Sequence, residues 1–304
     1  MNRYWLWVFP FLCAVGCAKT TATEQEQVAT DSIIVAEDTV FSPRYVYEIP
    51  VPRNYERVVA TDSTSFAYFL QHLPLKPQGT PVHYYDGTIS DLTDVTYAVI
   101  DGYDLGTTDL QQCVDWIIRL RAEWLYSQKR YNDIAFHFTN GWLCEYKRWA
   151  EGERVSVKGN HTSWYKAAAP DYSYKTFRQY LDMVFNYAGT LSLSKELKPA
   201  GGIQVGDVLI QGGSPGHAMI VVDVAKYTGN NGMGDAFIVA EGYMPAQDMH
   251  ILINTPTNYN GEQKSPWEDP TPWFEIYSLL RTSGGYLSLP TWSFNRNDIK
   301  RFTN

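Results

Sequence analysis

Apolar positions along the chain change their period in a way that separates helices from strands. In DLQQCVDWIIRLRAEWLYSQKR, residues 109–130, Val114, Ile117, Ile118, Leu120 and Leu125 recur at helical intervals and cations gather toward the end, which predicts a helix. Asp109 is placed as its N-cap, and Gln112 three residues on completes a capping box. Cys113 then falls in the first turn. Over residues 173–197 the stripe Phe177, Leu181, Val184 and Phe185 predicts an amphipathic helix with its apolar face in the core. A shorter helical pattern, SFAYFLQHLPLKP at 65–77, is stopped by its prolines.

The remaining pattern reads as strands. PVHYYDG (81–87) is strand-like, and VTYAVIDGYDLG (95–106) alternates and ends in a glycine-bounded turn. Residues 134–160 read as a strand, a turn, an irregular or helical piece and a further strand. Residues 205–252 read as strand, Gly-rich turn, strand, loop, strand, with antiparallel connections. Helix first and sheet later is an α+β order, unlike the βαβ alternation of a nucleotide-binding fold.

The N-terminal segment adds an address. Arg3, an apolar run from Trp5 to Val15 and small residues leading into Cys17 read as an export signal. The run is broken by Pro10 and is shorter than the roughly 20 apolar residues of a membrane span. Ala14-Val15-Gly16-Cys17 resembles the lipobox of bacterial lipoproteins, which implies that Cys17 becomes the acylated first residue of the mature chain. By the same resemblance, the lack of an aspartate after Cys17 implies the outer membrane, with the protein facing the periplasm and membrane contact through the lipid alone. The expected organisation is a signal peptide over 1–17, a flexible polar tether over 18–42 and a single domain over 43–304, long enough for a large core. The formal net charge of −8 and the absence of a Lys/Arg cluster argue against nucleic acid as a partner.

Candidate chemistry centres on one thiol. Cys13 and Cys17 belong to the export signal, leaving Cys113 and Cys144 in the domain. In an oxidising compartment these two could pair as a disulfide. No C-x-x-C or His-x-x-x-His spacing occurs, so neither a zinc site nor a cofactor is expected. A helix start favours the thiolate of Cys113 through free N–H groups and the helix dipole. The alternative is a small core residue packed beside Trp116, Ile117 and Leu120. His217 opens the apolar strand HAMIVVDVA just after the loop GGSPG, where a ring can reach a ligand. An imidazole base needs an acceptor on its other nitrogen, and Glu241 is the candidate. With the intervening loop centred near 229–232, His217 and Glu241 are opposite or diagonal neighbours within about 5 to 8 Å. Asp223 shares the strand face but lies about 20 Å along it. Gln247 and His250, past the turn Gly242-Tyr243-Met244-Pro245, are fallback acceptors.

A helix-start cysteine followed by GDVLI, GHAMIVV and a strand carrying VAE resembles the CHAP and NlpC-type cysteine peptidases, although Tyr243 stands where CHAP domains carry an asparagine. More extensively, DLQQC, RLRAE, KTFRQYLDMVF, GGSPGHAMIVVD and YMPAQDMHIL resemble the bacterial lipoprotein family of domain of unknown function 4846, over about Arg53 to Phe302. The first resemblance implies a papain-like (NlpC/CHAP-like) core with a helix-borne cysteine packed on an antiparallel sheet. It also implies a thiol hydrolase of peptide or amide bonds, with peptidoglycan stem peptides or muropeptides as substrate. Cys113 would attack, His217 would shuttle the proton, Glu241 would hold the imidazole, and the Cys113 N–H with Gln112 would bind the oxyanion. An acyl transferase would use the same residues. The rival readings are a non-catalytic lipoprotein holding cell-wall or glycan fragments in an aromatic cleft, which ten tryptophans and twenty-two tyrosines permit, and a structural partner in an envelope complex.

Overall fold

The computed structural model describes residues 42–230, 232–254, 271–276 and 285–303. The expected lipidation site Cys17, the signal peptide and the tether up to residue 41 lie outside the described residues. In chain order the elements are β1 (Tyr55–Arg57), α1 (Phe66–Gln71), β2 (Thr96–Val99), α2 (Cys113–Ser127), β3 (Ala135–His137), β4 (Leu143–Glu145) and α3 (Tyr146–Ala150). They continue with β5 (Glu153–Lys158), β6 (His161–Lys166), α4 (Tyr174–Tyr187), α5 (Thr190–Glu196), β7 (Lys198–Pro199), β8 (Val208–Gln211), β9 (His217–Tyr227) and β10 (Ala236–Glu241). The last are β11 (His250–Leu252), β12 (Phe274–Glu275), β13 (Tyr286–Ser288), β14 (Ser293–Asn295) and β15 (Ile299–Arg301).

Nine of these strands form one sheet, ordered β2-β11-β10-β9-β8-β15-β7, with β1 also on β9 and β12 also on β10. All of its pairings are antiparallel, so the fold is α+β with a large antiparallel sheet. The centre of the sheet is β9, whose first nine residues are all buried. That burial explains its near-continuous apolar sequence. Ala218, Ile220 and Val222 face the core that contains α2, while Met219, Val221 and Val224 face a second core with Leu209, Phe237 and Phe294. The alternation changes phase at Val222, which forms a bulge as the pairing shifts from Val239↔Val221 to Ile238↔Asp223, so that Ala225 faces the first core and Asp223, expected by parity to share the face of His217, turns to the α1 side.

Helix α2 departs from the amphipathic pattern. Every residue from Cys113 to Leu125 is buried, and Arg119 and Glu123 find partners outside as well as along the helix. Arg119 donates to Gln111 Oε1 at 2.9 Å and to the carbonyl of Asp104, and lies 3.4 Å from Glu123. Its N-cap is Gln112 rather than Asp109, with Asp115 as the reciprocal partner: the Gln112 N–H donates to Asp115 Oδ2 at 2.9 Å. Asp109 lies just outside, accepting from the Gln112 amide at 3.0 Å and from the Ala246 N–H at 2.7 Å. The cap moved because the carboxylate that follows the cysteine can reach the free N–H, whereas Asp109 is drawn to the turn after β10.

Other differences are local. The helix expected over 173–197 is two, α4 and α5, separated at Ala188–Gly189. The four residues of its stripe are buried as expected. PVHYYDG forms only isolated bridges, at His83↔Ile89 and Tyr84↔Gln247. HTSWYK, not read as a strand, is β6 and pairs along its whole length with β5. Asp223 is fully buried and bound by Arg57 at 2.8 Å and Gln71 at 2.7 Å, tying β1 and α1 to the far end of β9. Among the described residues no helix is long and apolar enough to cross a membrane.

Candidate active site

The start of α2 is seated at the ends of β9 and β10 because Gly242 follows Glu241 there. A Cβ on that glycine would run into the Trp116 ring. Trp116 is further fixed by donating its indole N–H to the Gln247 carbonyl at 2.9 Å. Cys113, the first residue of α2, is thereby brought against β9 and is 6% exposed. Its sulfur lies by the backbone N–H groups of Val114 and Ala218, both of which favour the anion. They do not win. Burial, reinforced by the Asp115 carboxyl, pushes the thiol up to about 12, so the thiolate expected from the helix start is outweighed by desolvation. Asp115 itself is pushed up to about 7 by burial, against the hydrogen bond from Gln112, and its Oδ1 is buried without a partner.

His217 is the residue before Ala218 and, by strand alternation, faces the opposite side of the sheet. Its ring packs against Tyr243, Trp292 and Phe294 at centroid distances of 4.9, 5.3 and 6.4 Å. Nε2 of His217 lies 2.5 Å from Oε2 of Glu241. The observed register, Ala240↔Ile220, makes the two diagonal neighbours on one face. Glu241 is fully buried. Burial works to raise its carboxyl, yet the imidazoles on either side outweigh that and hold it below the usual carboxylate range. Because an ionised carboxylate only accepts, Nε2 of His217 donates this hydrogen bond, and Nδ1 has no hydrogen bond among the described residues.

The second imidazole belongs to His250, directly opposite Glu241 on β11. Its Nε2 is 3.6 Å from Oε1 of Glu241, and its Nδ1 lies 3.0 Å from the Asp248 carbonyl. Three adjacent strands thus carry a buried row, His217, Glu241, His250. Gln247 is elsewhere, accepting from the Ser90 hydroxyl at 2.5 Å. The Gln112 amide is engaged with Asp109 and the helix cap. Cys144 is also free and fully buried, on β4. Its carbonyl accepts from Tyr180 at 2.9 Å, and burial raises its thiol. No Cys113–Cys144 disulfide is formed.

Among the described residues no hydrogen bond joins the Cys113 thiol to the His217 ring. The Ala218 N–H reaches the Cys113 sulfur one residue along β9 from His217. Sequence reasoning did not find the enclosing rings Trp292 and Phe294. They arrive on the β13–β14 hairpin, whose two residues show an aromatic pattern common to any strand, and nothing in their spacing relates them to His217.

Fold and site define an α+β domain with a buried His–Glu pair beside a helix-start thiol. The chain belongs to the family of domain of unknown function 4846, whose model matches residues 46–301. Comparison with curated proteins and with solved structures gives no match.

Proposed function

We propose that this protein is a thiol hydrolase of peptide or amide bonds, anchored in the bacterial envelope through Cys17 and acting on peptidoglycan stem peptides or muropeptides. The observation that carries the reading is the 2.5 Å contact of His217 with Glu241 at the start of the strand whose next N–H meets the Cys113 sulfur. A papain-like core accounts for that arrangement, with the cysteine on a helix packed against an antiparallel sheet and the histidine and acid on consecutive strands. In the resting protein the thiol is neutral. Attack of Sγ on the substrate carbonyl therefore requires the thiol and the His217 ring to be brought together around the substrate, the thiol proton passing to Nδ1 as the C–S bond forms and Glu241 balancing the imidazolium. The Cys113 N–H, at the free end of α2, stabilises the oxyanion. Collapse expels the amine, which takes the proton from His217, and water then cleaves the thioester by the same base.

Turnover of purified peptidoglycan peptides, with folding checked by circular dichroism, tests this. Cys113→Ala and His217→Ala should abolish it. Glu241→Gln should lower it by about tenfold or more while leaving some, since the amide still accepts one hydrogen bond but balances no charge. Iodoacetamide should label Cys113 faster than Cys144. A folded Cys113→Ala protein with full turnover overturns the mechanism. Binding of muropeptides by the parent without any cleavage favours the non-catalytic lipoprotein, a reading to which the buried, neutral thiol already lends weight.

A further inference from the structure

Two turns along α2 from Cys113, a charged group stands without the partner its burial calls for. Arg121 is 5% exposed. Its guanidinium lies 4.3, 5.0 and 4.9 Å from the ring centroids of Trp124, Phe66 and Phe302, so it is held in an aromatic slot. It makes no hydrogen bond and no ion pair among the described residues. Asp133, whose charge reaches it, is held by Arg130 at 2.7 Å. Arg119, on the same helix and as deeply buried, has Gln111, Glu123 and the Asp104 carbonyl. Stacking on the rings offsets only part of the cost of burying a charge with no anion.

The guanidinium also lines a cleft of about 730 Å³ between α2, β3 and α5, together with Leu125, Phe136, His137, Lys195 and Lys198. That volume is in the range of small-molecule sites. Lys195 and Lys198 are exposed and form no ion pair among the described residues. Of the two carboxylates in the wall, Asp133 is held by Arg130, and Glu196 is taken by His137, whose N–H donates at 2.7 Å and whose Nδ1 lies 3.3 Å away. Burial holds the Glu196 carboxyl above its usual range. On a chain of formal net charge −8, this cleft therefore presents three cations that are unmatched among the described residues. Eight residues of helix separate Arg121 from Cys113, about 12 Å, so the cleft is distinct from the thiol site.

We propose that this cleft binds a small ligand through an oxyanion, a carboxylate or phosphate, clamped by the planar donor fork of Arg121 with Lys195 and Lys198 at the rim. The aromatic slot fixes the plane of the guanidinium, which is the pre-organisation that two-point recognition of an oxyanion requires. The ligand supplies the anion that the described residues do not offer to Arg121.

Trp124, stacked on Arg121, supplies the readout. Full-length protein is titrated at constant ionic strength with N-acetylglycine, with glycerol 3-phosphate and with neutral N-acetylglycinamide, following tryptophan fluorescence and the thermal midpoint. At least one oxyanion probe should give a saturable fluorescence change and a raised midpoint, and the neutral amide should give neither. Which anion responds separates a carboxylate ligand from a phosphate ligand. Arg121→Met should weaken binding at least tenfold while its ligand-free midpoint stays equal or rises. The double variant Lys195→Ala, Lys198→Ala should weaken binding severalfold and provides the test should Arg121→Met fail to fold. No saturable response to either anion, an equal response to the amide, or an undiminished response in these variants overturns the proposal and leaves Arg121 a structural pillar.

Discussion

The behaviour of single residues at the site is governed by desolvation more than by the helix end. Asp115 shows this most directly, because its carboxyl is pushed up to about 7 in the fold while the unfolded chain titrates near 4. Between about pH 4 and 7 the folded state holds a proton that the unfolded chain has released, so this residue makes stability fall as pH rises through that window and level off above it. Asp115→Asn keeps an oxygen for the Gln112 N–H and removes the titration. Urea unfolding across pH 4 to 8 should show a flatter profile for the variant, the difference amounting to a few kcal/mol at most. With the negative charge beside the thiol gone, alkylation of Cys113 at pH 8 should also quicken. Identical pH profiles for parent and variant would show that Asp115 does not hold that proton. At this scale, His217 with Glu241 was readable in the sequence because hairpin pairing turns a count of residues into a distance. The thiol's environment was not, since burial of Cys113 depends on Gly242 and Ala218, more than a hundred positions away.

Among the elements, α2 carries both the thiol and Arg121, and its seating decides the geometry of each. Its apolar period correctly indicated a helix beginning near Cys113. Its charged residues are buried with it, because Arg119 and Glu123 are satisfied by Gln111, Asp104 and Tyr174, which periodicity within the helix cannot reveal. The contact that sets its approach is Gly242 under Trp116. Gly242→Ala should lower stability by about 1 to 3 kcal/mol, the range for an overpacked core, and should open the helix start to iodoacetamide. A urea midpoint unchanged by the methyl group would mean that α2 is not pressed on the sheet there. The short helices were less readable: α4 and α5 share one continuous apolar stripe, and only Ala188–Gly189 divides them.

For the whole molecule, the α+β class was readable because residues 205–252 run as consecutive antiparallel strands. The order of the sheet was not, because β2, β15 and β7 join it from remote positions and strands of two to four residues have no period of their own. The address belongs to this scale as well. If Cys17 bears the lipid, Cys17→Ser should abolish incorporation of labelled fatty acid and release the protein from the membrane fraction. Retention of both label and membrane association would show the signal to be of another kind. The β13–β14 hairpin has a bearing on synthesis. A chain made from its N-terminus completes the thiol-bearing helix early and the His217–Glu241 pair much later. The rings of Trp292 and Phe294 that enclose the imidazole come after both. The nascent polypeptide thus carries Cys113 before any enclosed imidazole stands beside it, and the surroundings of His217 are complete only when this hairpin has been made.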